Sequence, residues 1–503
     1  GINGTMTIVL PHGVLFRGAA EGEIRKRLLD KGLLDTIIGL PSNLFTNTGI
    51  PVVVMVLKKN RNIGDPVLVI DASHSFIKVG KQNVLEEKDI AKIVDTYSNR
   101  MEIPGYSHLA TREEVIDNDY NMNIPRYVES IDSEIPHDVD AHILGGIPQK
   151  NIEELSVLNL SVPDILDNSL NPIRPGYVEL INSIDDLTEE VLRDSRIINK
   201  TNEVAAKSEE YISKYWDSLR NVTRPTDILQ LREDMLDEIK QLLSEFEFID
   251  VYDGYQIIAD IWKEALTHDI ELIAASDFYT VARTREPNMV TKGTGKNKRE
   301  EQDGWVGSIV PNELIAERLY TEELNEIKNK QSRVQEVDIE LSELVEAAKV
   351  EDTDENNALY EVIKKNEEDE PQDSFENKTV KSELKNARKG TTEYDLLKKV
   401  DELMAEKAML GKAIKAEEKT LKEMVYDRIM SLTNEEIDGL VHEKWFGNVV
   451  ADLVNLVTIP LKAELRTLDM LNKRYANTLS ELDTEIRTLE EAFETLMSEM
   501  VVE

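Results

Sequence analysis

The chain has 503 residues, 41% of them hydrophobic, which is enough for roughly two to four domains with sizeable cores. It contains no cysteine, which excludes disulfides, thiolate metal sites and cysteine nucleophiles. The net charge is −39, and residues 1–130 carry only −1 of it, so the strongly acidic remainder is a poor surface for a phosphate backbone.

Residues 1–130 predict a mixed α/β segment. Apolar and β-branched runs predict strands, and the segments with helical spacing predict helices. The two strands around the polar turn at 41–49 are expected to pair as neighbours. In chain order, we predict a strand at 7–10, a helix at 21–29, strands at 33–40, 50–57 and 67–71, and a helix at 84–97. This order is typical of the second half of a nucleotide-cofactor fold.

The pattern changes at about residue 131 to helices joined by polar segments. Residues 168–177 predict a loop, and residues 292–299 predict a second, basic loop. From 311 onward we predict helices at 312–348 and 393–432, joined by a mobile acidic connection at 351–376. We therefore divide the chain into an α/β segment (1–130), a helical and linker region (131–310) and a helical coiled-coil domain (311–503).

The last predicted helix has the clearest periodicity in the chain, with apolar residues alternately three and four positions apart. This spacing indicates a coiled-coil seam with one polar member. Its members are Leu461, Leu465, Leu468, Asn472, Tyr475, Leu479, Leu482, Ile486, Leu489, Phe493, Leu496 and Met500. Such a seam needs a partner helix. We expect most of it to pack on the helices at 312–348 and 393–432, leaving one edge for another protein.

Several chemical motifs are incomplete. Gly295-Lys296 lacks the earlier glycine and the following Ser or Thr of a phosphate loop. His137 and His142 have a spacing that a metal could use, but a solvated linker is the stronger interpretation, and we expect no metal site. No Gly-x-Gly follows the first strand, and no two prolines are adjacent, which excludes an Asn-Pro-Pro-aromatic tetrapeptide.

Four segments of the front region resemble one known family. They are 8–18 (IVLPHGVLFRG), 23–29 (EIRKRLL), 39–51 (GLPSNLFTNTGIP) and 118–127 (NDYNMNIPRY). Together they resemble the amino-methyltransferase (modification) subunits of type I restriction–modification systems. The resemblance covers residues 1–130 well and the rest of the chain more loosely.

The resemblance implies methylation of the N6 amine of adenine in DNA, with S-adenosylmethionine as the methyl donor. It implies three partners: DNA, a specificity subunit bound through the C-terminal helices, and a restriction subunit. The family's cofactor loop and catalytic tetrapeptide would lie before residue 1. We therefore expect the C-terminal half of a modification subunit, with a partial Rossmann-like methyltransferase sheet followed by an all-α region. It is expected to retain no catalytic residue, to bind no S-adenosylmethionine and to be inactive alone.

The resemblance also assigns roles to residues. Phe45 would stack on the flipped adenine, supported by Asn47, Thr48 and Gly49, although Phe45 could instead plug its loop against the core. The candidate phosphate contacts are Arg17, Arg25, Arg27, Lys296 and Lys298. The alternative is a solvated surface for the three arginines and a disordered loop for the two lysines. We expect a cytoplasmic protein with no membrane partner. The alternative function is a non-catalytic, acidic coiled-coil scaffold.

Overall fold

The computed structural model describes residues 3–46, 48–129, 135–292, 298–350, 354–367 and 370–500. The chain forms two compact units. The first unit comprises residues 1–217, 227–266 and 448–503, and the second comprises 218–226 and 267–447. The sequence-based divisions at residues 130 and 310 stay predictions about domain boundaries.

The first unit begins with a five-stranded mixed sheet in the order β1-β3-β2-β4-β7. Strand β3 is antiparallel to both β1 and β2, and β2 is parallel to β4, so the carboxyl ends of β1, β2 and β4 meet at one edge. We call this the carboxyl edge. The elements are β1 (Thr5–Pro11), α1 (Ala19–Asp30), β2 (Leu34–Gly39), β3 (Val52–Lys58), β4 (Val67–Asp71), β5 (Ile77–Val79), β6 (Gln82–Val84), α2 (Glu87–Asn99), β7 (Ser107–Ala110) and α3 (Arg112–Asp117).

The predicted pairing of the two β-branched runs is confirmed, since Ile38 lies opposite Val54 in the β2–β3 ladder. Strand β2 is buried along its whole length, including the polar side chains of Asp35 and Thr36. The helix predicted from residue 84 begins instead at Glu87, because the side chain of Glu86 caps it and Val84 belongs to β6. The mixed sheet with flanking helices agrees with the predicted α/β front region.

The rest of the first unit is mainly helical. Its elements up to residue 266 are α4 (Val139–Leu144), β8 (Ile147–Pro148), α5 (Gln149–Glu153), α6 (Ser156–Ser161), α7 (Pro163–Asn168), β9 (Leu170–Arg174), β10 (Tyr177–Leu180), α8 (Ile184–Arg193), α9 (Ser195–Arg220), which runs on into the second unit, α10 (Ile228–Leu243), α11 (Val251–Ile261) and a π-helical turn (Trp262–Leu266). The loop predicted at 168–177 was wrong, because β9 and β10 form a hairpin there. Pro172 is tolerated because β9 is an edge strand.

The second unit contains two long antiparallel helices, α15 and α18, linked by the ion pairs Lys330–Glu417 and Arg333–Glu406. Its elements are α12 (Thr267–Ala275), α13 (Phe278–Ala282), β11 (Arg285–Lys292), β12 (Arg299–Gly307), α14 (Asn312–Leu319), α15 (Thr321–Val350), α16 (Asp354–Glu361), β13 (Ile363–Lys365), β14 (Pro371–Phe375), α17 (Asn377–Asn386), α18 (Thr392–Ile429) and α19 (Asn434–Phe446).

Two predictions for this unit need correction, and a third falls mostly outside the described residues. The helix predicted at 312–348 is two helices, α14 and α15, because the backbone leaves the helical conformation at Tyr320. The acidic segment 351–376 contains α16, β13 and β14, and the buried side chains of Leu359, Val362 and Phe375 explain why it is structured. The basic loop predicted at 292–299 joins two paired strands, and residues 293–297 of it lie outside the described part of the chain.

The first unit ends with α20 (Val449–Arg474) and α21 (Leu479–Met500). The prediction of one continuous helix was wrong, because Thr478 and Glu481 form the reciprocal hydrogen bonds of a new N-terminal cap. The seam residues Leu461, Leu465 and Leu468 are buried, and α20 packs on α6, α8 and α11. The α21 part of the seam is exposed instead. Six of its members have exposed fractions of 42–64%: Leu479, Leu482, Ile486, Leu489, Phe493 and Leu496.

The helical stretch Asn434–Arg474 is apolar and long enough, by length and composition alone, to cross a membrane. It includes α20, whose apolar side chains lie in a core cluster of the first unit, as those of core helices do. The expected absence of a membrane partner therefore stays a prediction.

Candidate functional site

The carboxyl edge brings together residues from three separate strands. His12 follows β1, the loop of residues 40–51 follows β2, and Asp71 is the last residue of β4. The backbone N–H of His12 donates to the carbonyl of Pro51 over 3.2 Å, which ties the end of β1 to the end of the loop. In open α/β sheets, ligands bind at the carboxyl ends of parallel strands. This edge is therefore the candidate site.

The loop at 40–51 is held in place by a side chain from β6. Asn83 is buried, and its amide nitrogen donates to the carbonyl of Ser42 over 2.8 Å. Its backbone N–H donates to the carbonyl of Asn43, which has a left-handed φ of +53°. A side chain at Gly49 would place its Cβ 2.8 Å from the Asn43 amide oxygen, so glycine lets the loop close on itself.

Phe45 lies at the tip of this anchored loop, and its side chain is 47% exposed. A bridge joins Phe45 to Thr48, whose N–H lies 3.4 Å from the Phe45 carbonyl oxygen. The Thr48 hydroxyl accepts the N–H of Ile50, which closes the turn. Asn47, predicted to support the loop, lies outside the described residues. An exposed aromatic ring on a fixed loop can stack on a planar base.

His12 is the half-buried titratable group of this edge. Burial lowers the pKa of its imidazole, and the nearby carboxylate of Asp71 raises it by a smaller amount. The ring packs edge-on against Phe16, with 5.9 Å between the centroids. Burial thus favours the neutral imidazole, which can both donate and accept a hydrogen bond.

The basic candidates occupy different surroundings. Arg17 and Arg27 are exposed, and Arg17 lies 3.7 Å from Glu21. Arg25 is buried, and its guanidinium donates to backbone carbonyls, among them Val14 at 2.7 Å. Lys298 is exposed, and Lys296 lies outside the described residues. Phosphate contact by these side chains stays a prediction.

His12, Asp71 and Asn83 belong to the site but were not predicted from the sequence. A signal for the first two was present, because each stands where a predicted strand ends, and the carboxyl ends of parallel strands share an edge. No comparable signal pointed to Asn83, since the contact of this residue with the loop depends on a hairpin that the polar sequence at 77–84 did not indicate.

The front region of the chain is similar to a known family. Residues 2–135 match the family described as N-6 DNA Methylase. The chain is 33% identical over 184 residues to the "Type I restriction enzyme MpnII methylase subunit" of Mycoplasma pneumoniae, which covers 37% of this chain and 31% of that protein. The "Type I restriction enzyme MjaVII methylase subunit" of Methanocaldococcus jannaschii is 38% identical over 177 residues. This match covers 34% of this chain and 28% of that protein.

A solved structure is also similar to part of this chain. The type I restriction-modification system methyltransferase subunit from Streptococcus thermophilus is 55% identical over 25% of this chain and 27% of its own, with a TM-score of 0.25. The matches to the two methylase subunits extend over about a third of the length of each. The predicted resemblance to type I modification subunits is confirmed.

Proposed function

We propose that this chain is part of a site-specific DNA adenine-N6 methyltransferase subunit of a type I restriction–modification system. The subunit transfers a methyl group from S-adenosylmethionine to an adenine rotated out of the duplex. The match of residues 2–135 to the N-6 DNA Methylase family and the similarity of the chain to methylase subunits support this proposal. The observation that carries it is the exposed ring of Phe45 on an anchored loop at the carboxyl edge.

Phe45 receives the flipped base in this proposal. Stacking of a base on an aromatic ring is worth roughly 1–3 kcal/mol, enough to hold an adenine out of the duplex for part of the time. The hydrogen bonds from Asn83 keep the loop in place before the base arrives, so little conformational entropy is lost on binding. The neutral imidazole of His12 lies at the same edge, where it can hydrogen-bond a polar group of the base.

S-adenosylmethionine supplies the methyl group when it is bound in the whole subunit. The described residues of the carboxyl edge do not fit this cofactor, because they contain no Gly-x-Gly turn between a strand and a helix, and the sequence has no Asn-Pro-Pro-aromatic motif. We therefore propose that this chain alone transfers no methyl group. Strand β1 lies at the edge of the described sheet, where its outer backbone groups could pair with a further strand. This supports the view that the sheet is part of a larger, Rossmann-like methyltransferase sheet.

The partners follow from the same proposal. The exposed apolar stripe of α21 would pair, as a coiled coil, with a helix of the specificity subunit, and the restriction subunit would join when DNA is cut. The chain would work in the cytoplasm, where the absence of cysteine fits a reducing medium. Deletion of residues 476–503 and measurement of co-purification with the specificity subunit test the α21 contact.

The assembled methyltransferase carrying Phe45→Ala tests the function. Loss of a stacking contact of about 1–3 kcal/mol should lower methyl transfer by roughly 5- to 150-fold. The fluorescence of 2-aminopurine at the target position, which reports base flipping, should fall with it. Ile63→Ala is the matched control, because Ile63 is 59% exposed and lies in the β3–β4 connection at the opposite edge of the sheet. Unchanged flipping and turnover in Phe45→Ala would contradict the proposal.

The alternative function is a non-catalytic scaffold, and the exposed stripe of α21 is the observation that favours it. A scaffold would lose its partner on deletion of α21 but would be indifferent to Phe45→Ala. The two variants together therefore discriminate between the functions.

A further inference from the structure

A polar cavity of about 370 Å³ opens beside the first turn of α1. We call it the α1 cavity, and its wall includes Phe16, Gly18, Gly22, Arg25, Lys26 and Arg126. Helix α1 follows β1, so its first turn lies just beyond the carboxyl end of that strand. The cavity is thus close in the chain to His12 but separate from the loop that carries Phe45.

Arg25 is the buried cation of this cavity, with only 6% of the residue exposed. Its Nε donates to the carbonyl of Tyr120 over 3.1 Å, and its Nη1 donates to those of Val14 and Arg17 over 2.7 Å. These bonds leave Nη2 without a hydrogen-bond partner in the described part of the chain. No carboxylate of the described residues lies within 4.0 Å of the guanidinium, although the more distant Glu21 raises its pKa against the dominant effect of burial.

The Arg25 guanidinium has no counter-charge, because the backbone carbonyls that it bonds carry only partial charges. Nη2 is not among the fully buried polar atoms, so water or an anion in the cavity can reach it. An anion in the cavity would supply the missing charge. The unpartnered Nη2 lies 3.7 Å from the position that a Cβ on Gly22 would occupy, and Gly22 also lines the cavity. This nitrogen therefore faces the side of the cavity that Gly22 leaves open.

Two further cations stand around the same space. Lys26 rests its ammonium over the Tyr120 ring, 5.2 Å from the centroid, and Arg126 donates to the amide oxygen of Asn118 over 3.2 Å. Neither has an ion pair among the described residues. Glu23 and Asp119 also line the cavity, but both are exposed to water, which screens their charge.

The first turn of α1 adds donors of its own. Gly18 precedes the helix and provides no side-chain cap, so the first backbone N–H groups are available to a ligand. A Cβ on Gly18 would meet no atom within 4 Å, and one on Gly22 would make only ordinary contacts. Glycine at position 22 weakens a helix relative to alanine. Packing does not require glycine at position 22, whereas a large side chain at this position would fill the cavity.

We propose that the α1 cavity binds a phosphate group, with Arg25, Lys26, Arg126 and the first N–H groups of α1 as donors. The phosphate belongs either to the DNA backbone or to a free phosphate ion. The DNA source rests on the proposed function, and the phosphate site itself does not.

The first arm of the test uses inorganic phosphate and the 503-residue chain, with ³¹P line broadening as the readout. We expect binding by the native chain, about tenfold weaker binding by Lys26→Gln, and none by Gly22→Leu, whose side chain fills the cavity. Lys31→Gln is the matched control, because it removes one exposed charge from the carboxyl-terminal end of the same helix, and it should bind as the native chain does. Arg126→Gln replaces Gly22→Leu if circular dichroism shows that the latter does not fold.

The second arm measures the salt dependence of DNA binding by the assembled methyltransferase. If the DNA backbone occupies the cavity, Lys26→Gln should reduce the slope of log K against log salt by about 0.9. Loss of phosphate binding with an unchanged slope would identify free phosphate as the ligand. Absence of phosphate binding together with native slopes in Lys26→Gln and Arg126→Gln would overturn the proposal. Failure of the proposed function would appear separately, as phosphate binding in an assembly that methylates no DNA.

Discussion

Replacement of Asp35 by Asn should destabilise the sheet without disturbing the carboxyl edge. Asp35 lies near the amino end of β2, and its side chain is 3% exposed. Its carboxylate lies 3.0 Å from Arg61 and 3.1 Å from Lys58, and it accepts from Arg100 over 3.3 Å. Asn would keep the shape but remove the charge that these three cations share.

The structure sets the size of the effect. The Arg61 side chain is 6% exposed, so this pair is buried, and removal of one partner of a buried pair costs about 3–5 kcal/mol. Lys58 and Arg100 are about a third exposed, and water can replace much of what they lose. We therefore expect a loss near the lower limit, about 3 kcal/mol in the free energy of unfolding.

Urea unfolding followed by circular dichroism measures this loss, and the midpoint should fall by about 1 M for a slope of about 3 kcal/mol/M. Asp30→Asn is the matched control. It removes the partner of Arg112 at 2.9 Å, but both side chains are at least a third exposed, so at most about 1 kcal/mol should be lost. A loss below about 1 kcal/mol in Asp35→Asn, or equal losses in both variants, would refute the reasoning. Methyl transfer by the assembled enzyme should be native in Asp35→Asn at temperatures where it is folded.

Three further predictions concern the cofactor, pH and the two C-terminal helices. Calorimetry should detect no S-adenosylmethionine binding to the 503-residue chain, and micromolar binding would contradict the assignment of the cofactor cradle to other residues. Burial lowers the pKa of His442 below 6.5, so the unfolded chain takes up a proton first and stability should fall as the pH drops below about 6.5. His442→Gln should reduce this fall in the melting temperature, whereas substitution of the exposed His74 should leave it unchanged. Leu468→Ala should cost about 2–5 kcal/mol because Leu468 is fully buried, whereas Leu489→Ala should leave stability native and weaken only partner binding, as co-purification would show.

The sheet was predictable to the extent that local patterns determine it. The β-branched runs at 33–40 and 50–57 fixed both strands and their pairing, because apolar strands with a short polar turn have few other arrangements. The break between α20 and α21 escaped prediction for a physical reason. Periodicity shows which face of a helix is apolar but not whether another element covers that face. The Thr478–Glu481 cap ends one helix and begins the next, while the spacing of the apolar residues continues unchanged.

The site was predictable only in part. Phe45 could be chosen from the resemblance, but its anchoring by Asn83 depends on a contact between residues about forty positions apart. The α1 cavity depends on a longer separation still, since Arg25 donates to a carbonyl 95 residues away. Composition and spacing carry no information about such contacts, because they arise when the sheet brings remote segments together.

Added salt should have opposite effects on self-association through the exposed face of α21 and on binding of a polyanion elsewhere on the protein. This helix carries seven acidic residues and one arginine beside its apolar stripe, so two copies repel each other in dilute buffer. Added salt shortens the range of that repulsion and leaves the apolar attraction intact, so self-association should increase with salt. Binding to a polyanion weakens under the same conditions. Storage at low ionic strength should therefore keep the chain monodisperse. Measurements over a range of salt concentrations should distinguish self-association through α21 from electrostatic binding of a polyanion at the sheet.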